Sequence, residues 1–229
     1  MPELNIEVLY EDNHLIAVNK PYGMLVQTDG SDDMSLEEVT RDFIREKYNK
    51  PGNVFCGVIH RLDRPVSGTI LMAKTSKGLE RMNALFRERK VEKTYWALVA
   101  DKPEKEEDTL FHYLLKDTTK NRTSVHTKKL AGSVYAELSY KLIGRVAGHY
   151  LLEVKPVTGR PHQIRAQLAR IGCSIVGDTK YRFPKRNKEG YICLHSRSLS
   201  FIHPIKKEPV YIEANVPFQT PMWQKFREF

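Results

Sequence analysis

Residues 60–68 read HRLDRPVSG, which places one carboxylate, Asp63, between two guanidinium groups, Arg61 and Arg64, directly before a turn-forming Ser-Gly pair. A surface aspartate needs no such company, and a salt bridge that merely fixes a turn needs one cation. Two cations around one acid describe a carboxylate that stays ionised in a confined place, available as a nucleophile or a base. A second cluster lies in KPVTGRPHQIRAQLARIG, residues 155–172. There Arg160, His162 and Arg165 converge on the start of a helix, whose free N–H groups favour anions. Singly, a helix arginine or histidine is more often solvated than functional; the clustering is what makes these residues candidates.

The elements that must position these groups follow from periodicity. Residues 6–20 read as a hairpin, with IEVLY and HLIAVNK around an EDN turn, stopped by Pro21 and Gly23. SLEEVTRDFIREKY, 35–48, is a helix with a capping box: Ser35 is the N-cap, Glu38 lies three later, and Leu36, Val39, Phe43 and Ile44 form the buried stripe. GVIH and TILMAK are strands on either side of the Asp63 segment. A second helix runs from about Ser76 to Glu88 with Leu79, Met82, Leu85 and Phe86 inward. Strands follow at 93–100, 133–143 and 149–156, the middle one alternating from Val134 through Ala136, Leu138 and Tyr140 to Leu142.

In the second cluster, Pro161 is expected in the first helical turn and Gly172 just past its end. Ile164, Leu168 and Ile171 share one face, with His162, Arg165, Ala166 and Ala169 on the other. Two polar stretches, 101–108 and 116–129, read as surface loops, the second basic enough to lie against phosphates. Without regular alternation of strand and helix, and without a Gly/Ser/Pro-rich linker, the pattern is α+β in a single domain spanning 1–229.

Composition narrows the partner. The 229 residues carry a formal charge of +9, from 37 Lys and Arg against 28 Asp and Glu, which favours a polyanion such as RNA or DNA. No apolar run reaches the roughly 18 residues of a membrane span, and MPELNIEVLYEDN lacks the regions of a secretory leader, so a cytoplasmic location is expected. The three cysteines, Cys56, Cys173 and Cys193, are scattered and form no CxxC pair; reduced core thiols are expected, with no disulfide framework and no zinc site. The sequence carries no P-loop, no GxGxxG after a strand and no HExxH.

Together these stretches resemble the pseudouridine synthases of the RluA family, which isomerise uridine to pseudouridine in ribosomal and transfer RNA. The resemblance runs from about residue 8 to residue 213 through YEDNHLIAVNKPYGMLVQ, HRLDRPVSGTILMAKT, VEKTYWALV, VTGRPHQIRAQLARIGCSIVGDTKYR and ICLHSRSLSFIHP, in the family's order. It implies a mixed, mostly antiparallel bent sheet with flanking helices around a basic catalytic cleft. Asp63 then matches the catalytic aspartate that attacks or deprotonates the nucleotide, Tyr95 the tyrosine lying against the uracil ring, and Arg165 the basic residue paired with the aspartate. Arg61 matches an arginine that in some relatives enters the stack vacated by the flipped uridine. Arg64, Arg160, His162 and Leu194 complete the expected substrate-binding set.

Val66 and Pro161 depart from the threonine common at those places, which touches local turn geometry and not the matched Asp, Tyr or Arg. The pattern starts within the first ten residues, like that of the short members lacking an N-terminal RNA-binding domain, whose targets are a large-subunit rRNA site, a tRNA site or both. A monomer is expected, and no cofactor or metal, since moving a base from an N- to a C-glycosidic bond is redox-neutral and needs a nucleophile or base. Two rivals remain: a non-catalytic RNA-binding module, which would tolerate loss of Asp63, and a metal-dependent nuclease, which a chelator would stop.

Overall fold

The computed structural model describes residues 6–30, 32–146 and 148–226. The first five residues of the stretch read for a leader, and Ser31 in the acidic segment before the first helix, lie outside the described residues. In chain order the elements are β1 (Glu7–Glu11), β2 (Leu15–Lys20), α1 (Leu36–Lys47), β3 (Gly57–Val58), β4 (Ser67–Ala73), α2 (Ser76–Arg87), β5 (Glu92–Val99), β6 (Glu107–Asp117), β7 (Arg122–His126), β8 (Val134–Val146), β9 (His149–Pro156), α3 (Gln163–Arg170), a 3-10 turn (Thr179–Tyr181), β10 (Leu194–Ile202), β11 (Pro209–Glu213) and α4 (Pro221–Gln224). This is an α+β fold. Its residues cluster into two compact units, Met1–Glu92 with Ser196–Val216 and Lys93–His195 with Pro217–Phe229. The chain passes between them at 92/93, 195/196 and 216/217, with no linker composition to mark the places.

In the first unit β2 pairs antiparallel with β1 and with β4, whose partners run from Leu15 opposite Ala73 to Lys20 opposite Gly68. Both faces of this ladder are covered, which is why LIAV and TILMA read as continuous apolar runs and not as alternation. Leu15, Ala17, Leu71 and Ala73 face a core shared with Met82 of α2, Leu199 and Phe201. Their neighbours Ile16, Val18, Ile70 and Met72 face the opposite core, with Leu36 and Ile44 of α1. The capping box forms as expected: Ser35 accepts from the Glu38 N–H, and the Glu38 carboxylate accepts from the Ser35 N–H at 2.8 Å. Thr75 caps α2.

The second unit orders its strands β5-β9-β8-β6-β7, with every pairing described along that path antiparallel. Ala136, Leu138 and Tyr140 are buried on β8 as alternation requires, whereas Val134, at the strand's open end, is 42% exposed. The loop expected at 116–129 is instead largely a hairpin, the end of β6 and β7 joined by the turn at Thr118–Asn121. Its polar composition hid it, because Thr123 is buried and Val125 half-buried while Arg122 and Ser124 stay in water. Helix α3 begins at Gln163, after a left-handed His162 (φ 55°), so Pro161 precedes the helix and does not open it. Nor are its two faces distinct: Gln163 through Ala169 are all buried. Gly172 does terminate it, at φ +85°.

Cys56, Cys173 and Cys193 are free and buried. Burial pushes the Cys56 thiol up to about 12 and the Cys173 thiol to about 11, and raises Cys193 as well.

Two adjacent carboxylates at the first turn give the unit a pH dependence. Asp12 is pushed up by burial, but the His14 and Leu15 N–H groups, Lys206 and Tyr10 outweigh that and hold it at about 2. Glu11 is likewise brought to about 2 by Lys47, Lys74 and Tyr48, against its burial. An unfolded carboxylate titrates near pH ~4, so the stability these groups lend is complete above that value and drains as pH falls toward 2. Urea unfolding at pH 7, 4 and 3 should therefore show a steep loss in the native chain and a shallower one in Asp12→Asn, which starts lower. Parallel slopes for both proteins would remove Asp12 as a source.

Candidate active site

Asp63 lies in the connection from β3 to β4, and that connection is fixed at several points within its own unit. The Asp63 carbonyl accepts from the Val66 N–H at 3.0 Å, closing the turn. His60 Nε2 accepts from the Leu71 N–H of β4 at 3.0 Å, and the imidazole stacks on Phe86 of α2, centroids 5.0 Å apart. Arg64 and Gly23 clamp one another: the Gly23 N–H donates to the Arg64 carbonyl at 2.8 Å, and Arg64 Nε donates to the Gly23 carbonyl at 2.9 Å. At the far end Gly68 (φ +115°) packs directly on the backbone of Ser196 in β10.

The bracketing arginines divide their work. Arg64 sends its guanidinium to Asp33 at 2.6 Å, in an exposed pair, so it braces the loop against the 21–33 segment. Arg61 is exposed, and Asp63 is partly buried. The cation that sequence reading left without a role is Lys20. It is fully buried, and its Nζ donates to the carbonyls of Pro21 (2.9 Å), Met24 (2.7 Å) and Arg64 (3.3 Å). Burial pulls its pKa down to about 7, the Asp63 carboxylate raises it and Arg64 lowers it further. Three carbonyl acceptors match the three donors of an ammonium, so the geometry favours the charged form that Asp63 also favours. Strand parity carried the signal: Lys20 continues the inward-facing series of Ile16 and Val18.

The second cluster is built at the start of α3. Gln163 closes the TGRP turn, its Oε1 accepting from the Arg160 N–H (3.0 Å) and the Thr158 hydroxyl (2.8 Å), and its Nε2 donating to the Glu137 carbonyl. Arg160 Nε donates to the Tyr135 carbonyl at 3.1 Å. Arg165 is 5% exposed and makes a two-pronged pair with Asp178, Nε to Oδ2 at 2.7 Å and Nη2 to Oδ1 at 2.9 Å. That fork fixes the guanidinium plane as well as its charge. Arg165 also lies over the Tyr181 ring, 5.1 Å from its centroid, and His162 Nδ1 is 2.8 Å from the Tyr181 hydroxyl. Asp178 and Tyr181 stand in GDTKYR, a stretch the sequence offered without roles. Tyr95 is half-buried on β5 opposite Val154, and Leu194 is buried where β10 begins.

The structure thus gathers Asp63, Arg61 and Arg64 on one pinned loop, and Arg160, His162 and Arg165 at one helix start. Among the described residues no group of three or more His, Cys, Asp or Glu side chains is arranged to hold a metal ion. Among the described residues no helix is long and apolar enough to cross a membrane.

Residues 14–170 match a family model described as RNA pseudouridylate synthase. The chain is 32% identical to a protein of Vibrio parahaemolyticus named tRNA pseudouridine synthase C, over 94% of this chain and 92% of that one. It is also 32% identical to a Rickettsia felis protein named ribosomal large subunit pseudouridine synthase C, over 92% of this chain and 68% of that one. Among solved structures, human RNA pseudouridylate synthase domain containing 4 shares its fold, with a TM-score of 0.77 at 22% identity over 92% of this chain and 88% of that one.

Proposed function

Since this chain belongs to the RNA pseudouridylate synthase family, whose members isomerise uridine to pseudouridine in RNA, we propose that it acts on tRNA or large-subunit rRNA with Asp63 as its catalytic carboxylate. The observation that carries the assignment is the HRLD loop, where the acid matching the family's aspartate stands on a segment pinned by Lys20, His60 and the Gly23–Arg64 clamp. Precise placement is what a reacting carboxylate requires.

The reaction breaks the bond from C1′ to N1 of uracil and forms one from C1′ to C5, while the hydrogen on C5 leaves as a proton and the freed N1 takes one up. No electrons are gained or lost, so no redox carrier is called for. Asp63 supplies the attacking or proton-accepting oxygen. Tyr95 lies against the ring of the extruded base, Arg165 steadies the anionic site, and Arg61 fills the stack that the uridine leaves. Arg64, through its clamp, serves the loop more than the RNA. The relatives' names support both RNA classes as substrates.

Pseudouridine mapping of total RNA with and without the gene tests this reading, using the carbodiimide adduct and reverse-transcription stops. One or more stops in tRNA or large-subunit rRNA should vanish without the gene and return when it is restored. An unchanged stop pattern in both RNA classes would overturn it.

A further inference from the structure

Tyr181 joins parts of the second unit that the proposed reaction does not by itself connect. Its side chain is buried, and its hydroxyl accepts from the Thr123 N–H of β7 at 2.8 Å while meeting His162 Nδ1 at 2.8 Å. Because one lone pair is committed to Thr123, donation to His162 is the arrangement that leaves no buried phenolic hydrogen unpartnered. The ring has Arg165 on it, 5.1 Å from the centroid, and Arg122 of β7 at 5.6 Å. Around this hub the Thr123 hydroxyl donates to the Pro161 carbonyl at 3.0 Å, Lys180 Nζ donates to the Asn121 carbonyl at 3.1 Å, and Val125 packs with Ala166, Ala169 and Tyr181. The hairpin held this way is strongly basic. Residues 116–129 carry five Lys and Arg against one acid, Asp117, and Lys120, Arg122, Lys128 and Lys129 are exposed.

A solvated hairpin needs none of these ties to a helix start. We propose that Tyr181 is a positioning residue that makes the basic β6–β7 hairpin and the His162–Arg165 turn move as one piece, so that RNA gripped by the hairpin determines where Arg165 stands. The inference rests on the pseudouridine synthase reading and goes beyond it, since it assigns the hairpin a part in catalysis as well as in binding.

Tyr181→Phe is the discriminating variant, because it keeps the ring under both guanidinium groups and removes only the two hydroxyl contacts. Turnover is followed as tritium released from C5-tritiated uridine in two RNAs. One is the tRNA or large-subunit rRNA transcript that the native enzyme modifies, and the other a short oligonucleotide holding the same uridine with too little flanking RNA to reach the hairpin. The native enzyme should favour the long RNA in kcat/KM, and Tyr181→Phe should lose about tenfold of that preference, the scale of two hydrogen bonds, while its rate on the oligonucleotide stays within about twofold. Thr123→Val, which deletes the link to Pro161 and leaves the ring untouched, should lose preference in the same direction and guards against a folding defect in the first variant. Equal losses on both RNAs, or no loss on either, would reduce Tyr181 to a packing residue. No tritium release by the native enzyme from any transcript would instead strike at the pseudouridine assignment itself.

Discussion

Asp63→Asn is expected to abolish pseudouridine formation while leaving RNA affinity within about tenfold, because it removes the reacting oxygen's charge and few phosphate contacts. The substitution is nearly isosteric. The loop around it is fixed through backbone and neighbouring groups, namely the Val66 turn, the Leu71–His60 bond and the Gly23–Arg64 clamp, so the fold should persist. A second readout comes from Lys20. The Asp63 carboxylate raises the pKa of this buried amine against a burial effect that draws it to about 7, so neutralising position 63 should lower it further. Nitrogen-detected NMR of the Lys20 amine across pH would follow that change directly. Substantial single-turnover conversion by the Asn variant would end the catalytic assignment, and an unmoved Lys20 titration would end the electrostatic link.

Gly68→Ala is expected to cost more stability than any other single methyl group added to this loop. At φ +115° an L side chain is strained, and a Cβ there would stand 2.3 Å from the Ser196 carbonyl oxygen and 2.6 Å from its nitrogen. Those are backbone atoms of β10, with no rotamer to change, so β4 and β10 would have to part. Strain and overpacking of this kind together cost about 3 kcal/mol or more. For a chain of this size that is a fall in Tm on the order of 10 °C, visible in a circular dichroism melt. A melt within a degree or two of the native protein would mean that the strands yield easily, and the account of why glycine is needed would fail. Turnover should fall with stability, since Gly68 anchors the end of the Asp63 loop.

The same glycine marks the boundary of what the sequence makes legible. Gly68 reads as half of a turn-forming pair, yet its main constraint is a close approach to Ser196, 128 positions away, which no local pattern encodes. Local patterns did carry the capping box at Ser35 and Glu38, the stripe of α2 and the inward series on β8, because each depends on spacing within one element. The alternating burial that makes β7 a strand was masked by its threonine, its serine and its arginine. Partners were harder still. Arg64 donates to Asp33 and Gly23, and Arg165 donates its fork to Asp178; in both cases the cation was visible and the place of these acceptors was a matter of tertiary geometry. The hidden helix faces have the same cause: α3 looks amphipathic by angle, but Tyr181 and Val125 cover the side that seemed open.

The buried thiols bear on how this protein can be handled. Burial raises the Cys173 thiol to about 11 and the Cys56 thiol to about 12, and raises Cys193 too, so the thiol form dominates at all three positions at neutral pH. The native chain should therefore be almost blank to maleimides and tolerant of peroxide. A single cysteine introduced at exposed Lys120 on the hairpin would then be a unique point for a fluorophore. Its signal on adding RNA would report hairpin engagement without first stripping the native cysteines from the core.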